Sequence, residues 1–382
     1  MNGINETEAH CDRTGHSNEL GCHYNQFTLA LFLISDILGG KIVDFTPVDA
    51  APSGTAEKTT WRIYMKGKRA IALLCILLLV VGGSLLFAGG AKEAKVKQPT
   101  FVMVPKLVHP FYEPCIEGFK DAGAKYGVKV EVESPPKLDI ALQVKVIEDL
   151  IARGVDGIAI SAVDNKGLKA VIDEALAAGI KVICFDADAP DTNRATYVGT
   201  NNTEAGVTAA KFLFDLMGGK GNMAIIQGGL TPNLNERQEG IRNAAKNSGV
   251  EIIAFEDYQA DFALGINKTE ALLETYPNLD AIFGVEAYGA PVAATVLKEQ
   301  GRVGQIIVGG FDDLAETITG IRDGSVQFCL VQKAYKMGWM SVEILQDLMQ
   351  GKSVAPVIDT GVIIVTKDNV DSYMEEVKAE FL

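Results

Sequence analysis

The chain has 382 residues, carries a formal net charge of −14, and is 48% hydrophobic and 22% charged. That length is enough for two medium-sized domains with real cores, and the composition is that of a globular protein without low-complexity segments. The acidic balance excludes a nucleic-acid surface, because phosphate binding needs clustered Lys and Arg to release counterions and no such cluster follows residue 98.

Residues 1–64 differ from everything after them. His10, Cys11, His16, Cys22 and His23 lie close together, yet their spacing matches no closed zinc pattern. The segment is expected to be a disordered leader or a mis-assigned start. Residues 65–88 read as a secretory signal. Lys66, Lys68 and Arg69 make a positive start, 71–81 is an uninterrupted apolar run, Gly82, Gly83 and Ser84 break it, and Ala88 is the small residue that signal peptidase requires. An internal membrane helix is the alternative, but a spanning helix needs about 20 apolar residues, which 70–88 barely reaches and only with Gly82-Gly83-Ser84 included. An export signal starting at Met65 and cleaved near Ala88 is the expectation. Cys75 follows Leu74 rather than a small residue, which argues against lipidation. Downstream, Cys115, Cys184 and Cys329 are odd in number and widely separated, so they read as small buried apolar residues and not as a disulfide framework.

After residue 97 short apolar or β-branched runs alternate with helices of 3.6-residue periodicity. Strands are predicted at 101–105, 128–133, 157–161 and 181–185, with helices at 111–126, 140–153 and 166–178 between them. Gly127, Gly154 and Gly179 stand where helices end in the left-handed conformation. A weaker strand at 196–199 precedes a second series, with strands at 222–226, 251–255, 281–283 and 305–308 and helices at 235–247, 264–276 and 290–300. A further unit, 326–331 then 335–349, is followed by one extended stretch, 359–365, and a short helix. Alternation of this kind implies parallel sheets covered by helices on both faces. The expected architecture is α/β with two similar open parallel-sheet lobes, one made of 99–200 plus 333–358 and the other of 201–332 plus 359–382. The chain would cross between them several times and form a hinge, and the shape implied is a cleft that closes on a ligand.

Ligands bind outside the carboxyl ends of strands in such sheets, so the residues there are the candidates. After the first strand come Lys106, His109, Pro110, Phe111 and Tyr112; the two aromatics suit the C–H face of a sugar ring, although one of them packing under the loop is the alternative. His109 reads as a loop hydrogen-bonder. Ser161 and Asp164 follow the third strand and Asp186-Ala187-Asp188 the fourth. A carboxylate held there accepts from adjacent hydroxyls, and an isolated D-x-D has too few ligands for calcium. In the second lobe Asn233, Asn235, Glu236 and Arg237 open a helix, where capping explains at least one asparagine. Phe262, Glu286, Tyr288, Asp312 and Gln332 complete the set, with Phe262 equally readable as core. Carboxylates, amides and aromatics together suit a neutral polyhydroxylated ligand. No nucleotide fingerprint, P-loop or nucleophile elbow is present. Gly218-Gly219-Lys220-Gly221 ends a helix and precedes a strand, the wrong way round for cradling phosphate on a helix N-terminus. No cofactor, no metal and no catalytic residue is expected.

From residue 99 onward the chain resembles periplasmic sugar-binding proteins of the ribose-binding type, the substrate receptors of ABC importers. The resemblance rests on VPKLVHPFY, VICFDADAP, NERQEGIRNA, IIVGGFDD and TGVIIVTKDNVDSY. It implies a type I periplasmic binding protein fold, a small sugar as ligand and the permease subunits as partners. Contact with the membrane is implied only through the export signal or the permease, and the chain is expected to act as a monomer in the periplasm or cell exterior. By position it makes Phe111 and Tyr112 the ring-stacking pair and puts His109 where an Asn often contacts sugar. Ser161, Asp186, Asn235, Phe262, Glu286, Asp312 and Gln332 fall on the remaining ligand positions. The chain departs from the ribose pattern at Ala187 and Asn235, where ribose binders carry Arg, and at Glu286, where they carry Asn. A ribose site is therefore not carried over intact. The VPKL opening with Lys106 is also similar to the rhamnose and autoinducer-2 receptor branch, without that branch's second-lobe contacts. The rival reading is the sensor domain of a LacI-type regulator, which requires a basic helix-turn-helix not found in 1–64; a non-sugar ligand such as autoinducer-2 or a nucleoside is the other alternative.

Overall fold

Over residues 98–380, the part of the chain that a computed structural model describes, twelve strands fall into two six-stranded sheets. The leader expected at 1–64 and the export signal expected at 65–88 lie outside the described residues. β1 (Thr100–Val104), β2 (Lys129–Val132), β3 (Gly157–Ile160), β4 (Lys181–Phe185) and β5 (Tyr197–Gly199) are joined through α1 (Tyr112–Tyr126), α2 (Ile140–Arg153) and α3 (Lys169–Ala177). The second series is α4 (Asn202–Leu216), β6 (Lys220–Gln227), α5 (Pro232–Ala245), β7 (Gly249–Asp257), α6 (Phe262–Thr275), β8 (Ala281–Gly284), α7 (Gly289–Glu299), β9 (Ile307–Phe311), α8 (Ala315–Asp323) and β10 (Phe328–Gln332). α9 (Ala334–Met349), β11 (Val357–Asp359), β12 (Val362–Thr366) and α10 (Val370–Glu380) follow. No helix among the described residues is long and apolar enough to cross a membrane.

The first sheet runs β11-β5-β4-β3-β1-β2, all parallel; the second runs β12-β10-β9-β8-β6-β7, parallel except for the antiparallel pair β10–β12. Their central strands read as unbroken apolar runs because both faces are covered, and the side-chain period of two divides each run between two cores. Val102, Ile158, Ile160 and Val182 fill one side of the first sheet, whereas Phe101, Met103, Ile183 and Phe185 fill the other. In the second sheet Ile226, Ile282 and Val308 face one core and Ile225, Phe283 and Phe328 the opposite one.

The chain passes between the sheets three times. It crosses after β5, again after β10, whose successor α9 packs on α1 and β4, and a third time between β11 and β12. The crossings are tied to one another: Thr360 N donates to Gly199 O at 2.8 Å, Asn201 N to Asp359 Oδ1 at 3.1 Å, and Thr200 Oγ1 to Gln332 Oε1 at 3.0 Å.

Two expectations change. The stretch 359–365 is two strands in different sheets, because Gly361 at φ 75° turns the chain between them while the Asp359 carboxylate accepts the Gly361 amide. Asp359 consequently belongs to the first sheet and not to the second lobe. Helix α8 is an addition to the predicted elements, and the helix expected to end at Gly218 is α4, which starts at Asn202. The buried face of α4 is largely Ala205, Gly206, Ala209 and Ala210, which gives little apolar contrast for a periodicity reading, and α8 is only nine residues long. The small residues of α4 serve close packing: a Cβ on Gly206 would strike the Arg237 carbonyl of α5, and one on Gly240 would strike the Thr203 carbonyl of α4.

Candidate functional site

Asp186 and Asp312 occupy matching places, directly after the carboxyl ends of β4 and β9, and both have left-handed backbones, φ 56° and 64°. Such a conformation at a non-glycine residue costs roughly 1–3 kcal/mol, and strain of this kind collects at functional sites. Each carboxylate is thereby turned from the strand end into the space between the lobes.

Asp186 is buried and saturated. Its Oδ2 accepts from Ser161 Oγ at 2.6 Å and Tyr112 OH at 2.9 Å and pairs with Lys106 Nζ at 3.2 Å, while its Oδ1 accepts from Asn233 Nδ2 at 3.2 Å. Burial pushes this carboxyl up, but the Lys106 charge and the hydroxyl donors outweigh it and hold it below the usual carboxylate range. Burial likewise lowers Lys106, against the attraction of Asp186. Lys106 Nζ also donates to Asn233 Oδ1 at 2.9 Å, an oxygen that accepts from Thr231 Oγ1 at 2.8 Å as well.

The second lobe is less complete. Asp312 Oδ1 accepts from Gln332 Nε2 at 3.0 Å, and burial pushes its carboxyl up to about 7. Glu286 Oε2 accepts from Tyr288 N at 2.9 Å, its Oε1 has no protein partner, and burial brings this carboxyl to about 7 too. Arg237, 1% exposed, lies with its guanidinium carbon 4.1 Å from the Phe311 ring centre. Nε donates to Asn202 Oδ1 and Nη1 to Val285 O, both at 3.0 Å, and Nη2 has no protein partner. Across the cleft His109 packs its ring 4.2 Å from that of Tyr288. Burial and the Lys106 charge lower its pKa to about 4. Because Nδ1 accepts the Phe111 amide at 3.2 Å, the neutral ring is assigned its proton on Nε2, which has no hydrogen-bond partner and lies 3.9 Å from Glu286 Oε2.

These groups line one cavity between the carboxyl ends of the strands, where ligands of open α/β sheets bind. Of the residues singled out in the sequence, His109, Phe111, Tyr112, Asp186, Glu286, Asp312 and Gln332 reach its wall. Ser161, Asn235 and Phe262 do not. Ser161 is buried behind Asp186. Asn235 accepts from Gln227 Nε2 and donates to Leu230 O, within its own lobe. The helix starts at Pro232 instead of 235, which brings Asn233 to the cleft in its place. Phe262 sits edge-on to Tyr288 at 5.5 Å, in a wider chamber of about 640 Å³ that shares Phe111, Asp312 and Gln332 with the cavity. Of the expected stacking pair, Tyr112 is 3% exposed with its ring in the core against Phe185, so its hydroxyl is what reaches Asp186. Asp188 is taken by a two-point pair with Arg194, at 2.6 and 2.5 Å.

Lys106, Asn233 and Arg237, named in the sequence at the strand end and helix start but given no ligand role by the resemblance, are wall residues as well. A signal for the last two existed: positions i and i+4 share a helix face. The three described cysteines are free and buried.

A model of the periplasmic binding protein domain matches residues 100–353, about two thirds of the chain. The chain belongs to this family. Over 310 residues this periplasmic binding protein is 26% identical to the ribose import binding protein of Bacillus subtilis, covering 79% of its own length and 100% of the relative. It is 25% identical over 317 residues to the D-ribose/D-allose-binding protein of Pseudomonas aeruginosa, covering 79% and 99%. Among solved structures, an ABC transporter solute binding protein from Burkholderia graminis in complex with D-arabinose is 40% identical with a TM-score of 0.70, over 72% of this chain and 97% of that one. A glucose-galactose binding protein from Geobacillus stearothermophilus is 29% identical with a TM-score of 0.69, over 72% and 99%. The fold is that of a type I periplasmic binding protein.

Proposed function

We propose that this periplasmic binding protein is a non-catalytic receptor that captures a small sugar or polyol outside the cytoplasm and presents it to the permease of an ABC importer. The observation that carries the reading is the set of buried polar atoms without protein partners around one cavity: His109 Nε2, Arg237 Nη2 and Glu286 Oε1. Hydroxyls both donate and accept, so a polyol meets all three, and an analogue lacking one hydroxyl leaves a buried group unpaired at a cost of ~1–3 kcal/mol. The fixed charges favour a neutral ligand. Lys106 is balanced by Asp186, and Arg237 is faced by two carboxyls with pKa values of about 7. Phe111 offers an aromatic face at the wall. Relatives named for ribose, for ribose and allose, and for glucose and galactose, and a structural neighbour holding D-arabinose, support sugar as the class.

The mechanism is hinge closure about the three crossings. Ligand held by one lobe bridges to the other and stabilises the closed state only through contacts made in that state. The receptor acts as a monomer and reaches its compartment through the export signal at 65–88. Thermal-shift measurements against pentoses, hexoses, deoxysugars and nucleosides test the ligand class. A pentose or hexose is expected to raise the melting temperature. Stabilisation by nucleosides alone would move the assignment to that class, and no response to any sugar would end it. N-terminal sequencing of the exported protein is expected to begin near Gly89; a chain starting before Met65 would refute the signal assignment.

A further inference from the structure

Asn233 stands on the second lobe, yet its amide is spent on the first. Its Oδ1 takes Lys106 Nζ at 2.9 Å and its Nδ2 reaches Asp186 Oδ1 at 3.2 Å, while Thr231 Oγ1 donates to the same Oδ1 at 2.8 Å and so fixes which end of the amide faces which partner. Lys106 follows β1 and Asp186 follows β4, both in the first sheet, and all three side chains are buried. We infer that Asn233 is an interlobe clasp: it locks onto the Lys106–Asp186 pair when the lobes come together and sets how long a sugar is held.

The inference rests on the sugar-receptor reading for its last clause only. Every donor and acceptor of the clasp is a protein atom. The first-lobe half is self-supporting, since Asp186 keeps Lys106, Ser161 and Tyr112 as partners with or without Asn233. Docking Asn233 onto it therefore requires only the approach of the second lobe, and hydrogen bonds to charged partners are about twice as strong as neutral ones. The clasp raises the closed population in the free receptor, and it must break before ligand leaves. It also divides the labour in the cavity. With four protein partners Asp186 is a positioning group. The acceptors left for a sugar are the second-lobe carboxylates Glu286 and Asp312, and the first lobe contributes donors from His109 and the remaining hydrogen of Lys106.

Asn233→Ala and the near-isosteric Asn233→Leu test this in the full chain. Hydrogen exchange without added sugar should show amides of 106–112 and 228–234 exchanging about ten-fold faster in both variants, the effect of losing hydrogen bonds to charged partners, with the melting temperature lowered by only about 2–4 °C. Stopped-flow dissociation of D-arabinose, or of whichever sugar gives the largest thermal shift, should quicken by a similar factor while association changes little. Unchanged exchange in these two segments overturns the clasp, as do unchanged dissociation rates. If exchange responds but no sugar binds the wild type, the clasp stands and the sugar reading falls; if sugar binds wild type and variants with identical rates, the clasp alone falls.

Discussion

The sugar contacts proposed for Glu286 and Asp312 predict that binding is linked to proton release. Burial holds both carboxyls at about 7 in the cavity wall, so near pH 7 each is close to half protonated. A hydroxyl donating to a carboxylate stabilises the charged form and lowers its pKa, and binding should expel about one proton in total at pH 7. The size follows from linkage. One pH unit below its pKa a group must give up its proton at a cost of ~1.4 kcal/mol, so affinity should fall about ten-fold between pH 8 and pH 6 if one carboxyl is linked and about a hundred-fold if both are. Because the two carboxyls sense each other, the steps belong to the pair. The sign for the free receptor is opposite. Carboxyls raised in the folded state contribute stability that is fully present below their unfolded pKa of ~4 and is lost as pH rises through about 7. His109, depressed to about 4, contributes stability present above ~6.5 that is lost as pH falls through its folded value, so the range pH 6.5–8 isolates the carboxyls. Calorimetric titration in buffers of different ionisation enthalpy reads the protons directly. Equal binding enthalpies in all buffers, together with flat affinity from pH 6 to 8, would refute the reasoning, and Asp312→Asn should remove about half of the effect.

Replacing Arg237 with Met leaves Asn202 Oδ1 and Val285 O without their donor in a buried site; urea unfolding should show a loss of about 2–4 kcal/mol, accompanied by loss of sugar binding. Asp312→Gly separates function from stability. It relieves the left-handed strain at φ 64°, so unfolding free energy at pH 8 should hold or rise by up to about 1 kcal/mol while calorimetry detects no sugar binding. Gly206→Ala forces α4 away from the Arg237 carbonyl, and it should cost about 1–3 kcal/mol in denaturation and weaken binding through the displaced guanidinium.

How far the site could be read in advance depended on which kind of information each residue needed. Asp186, Asp312, Glu286 and Gln332 were reachable because strands betray themselves as apolar runs and the carboxyl end of a parallel strand is where a ligand sits. Gly127, Gly154 and Gly179 have positive φ, as helix ends at these places require. Asn235 follows from positional matching to the ribose-binding pattern, whereas the helix starts at Pro232 and it is Asn233 whose amide reaches Lys106 and Asp186. Lys106 and Arg237 are buried charges, and nothing local in a sequence distinguishes a buried lysine or arginine from a solvated one.

By itself, then, the sequence determined the two βα series, their parallel sheets and the ends at which the polar groups collect, because these follow from local periodicity and short-range turn chemistry. Only the tertiary structure decided the split of 359–365 between sheets, the burial of Arg237 over Phe311 and the meeting of Lys106 and Asp186 with Asn233. Each of these depends on how two separately folded sheets are apposed. That arrangement is set by contacts between residues more than a hundred positions apart, such as Lys106 and Asn233, and pattern within either lobe carries no record of it.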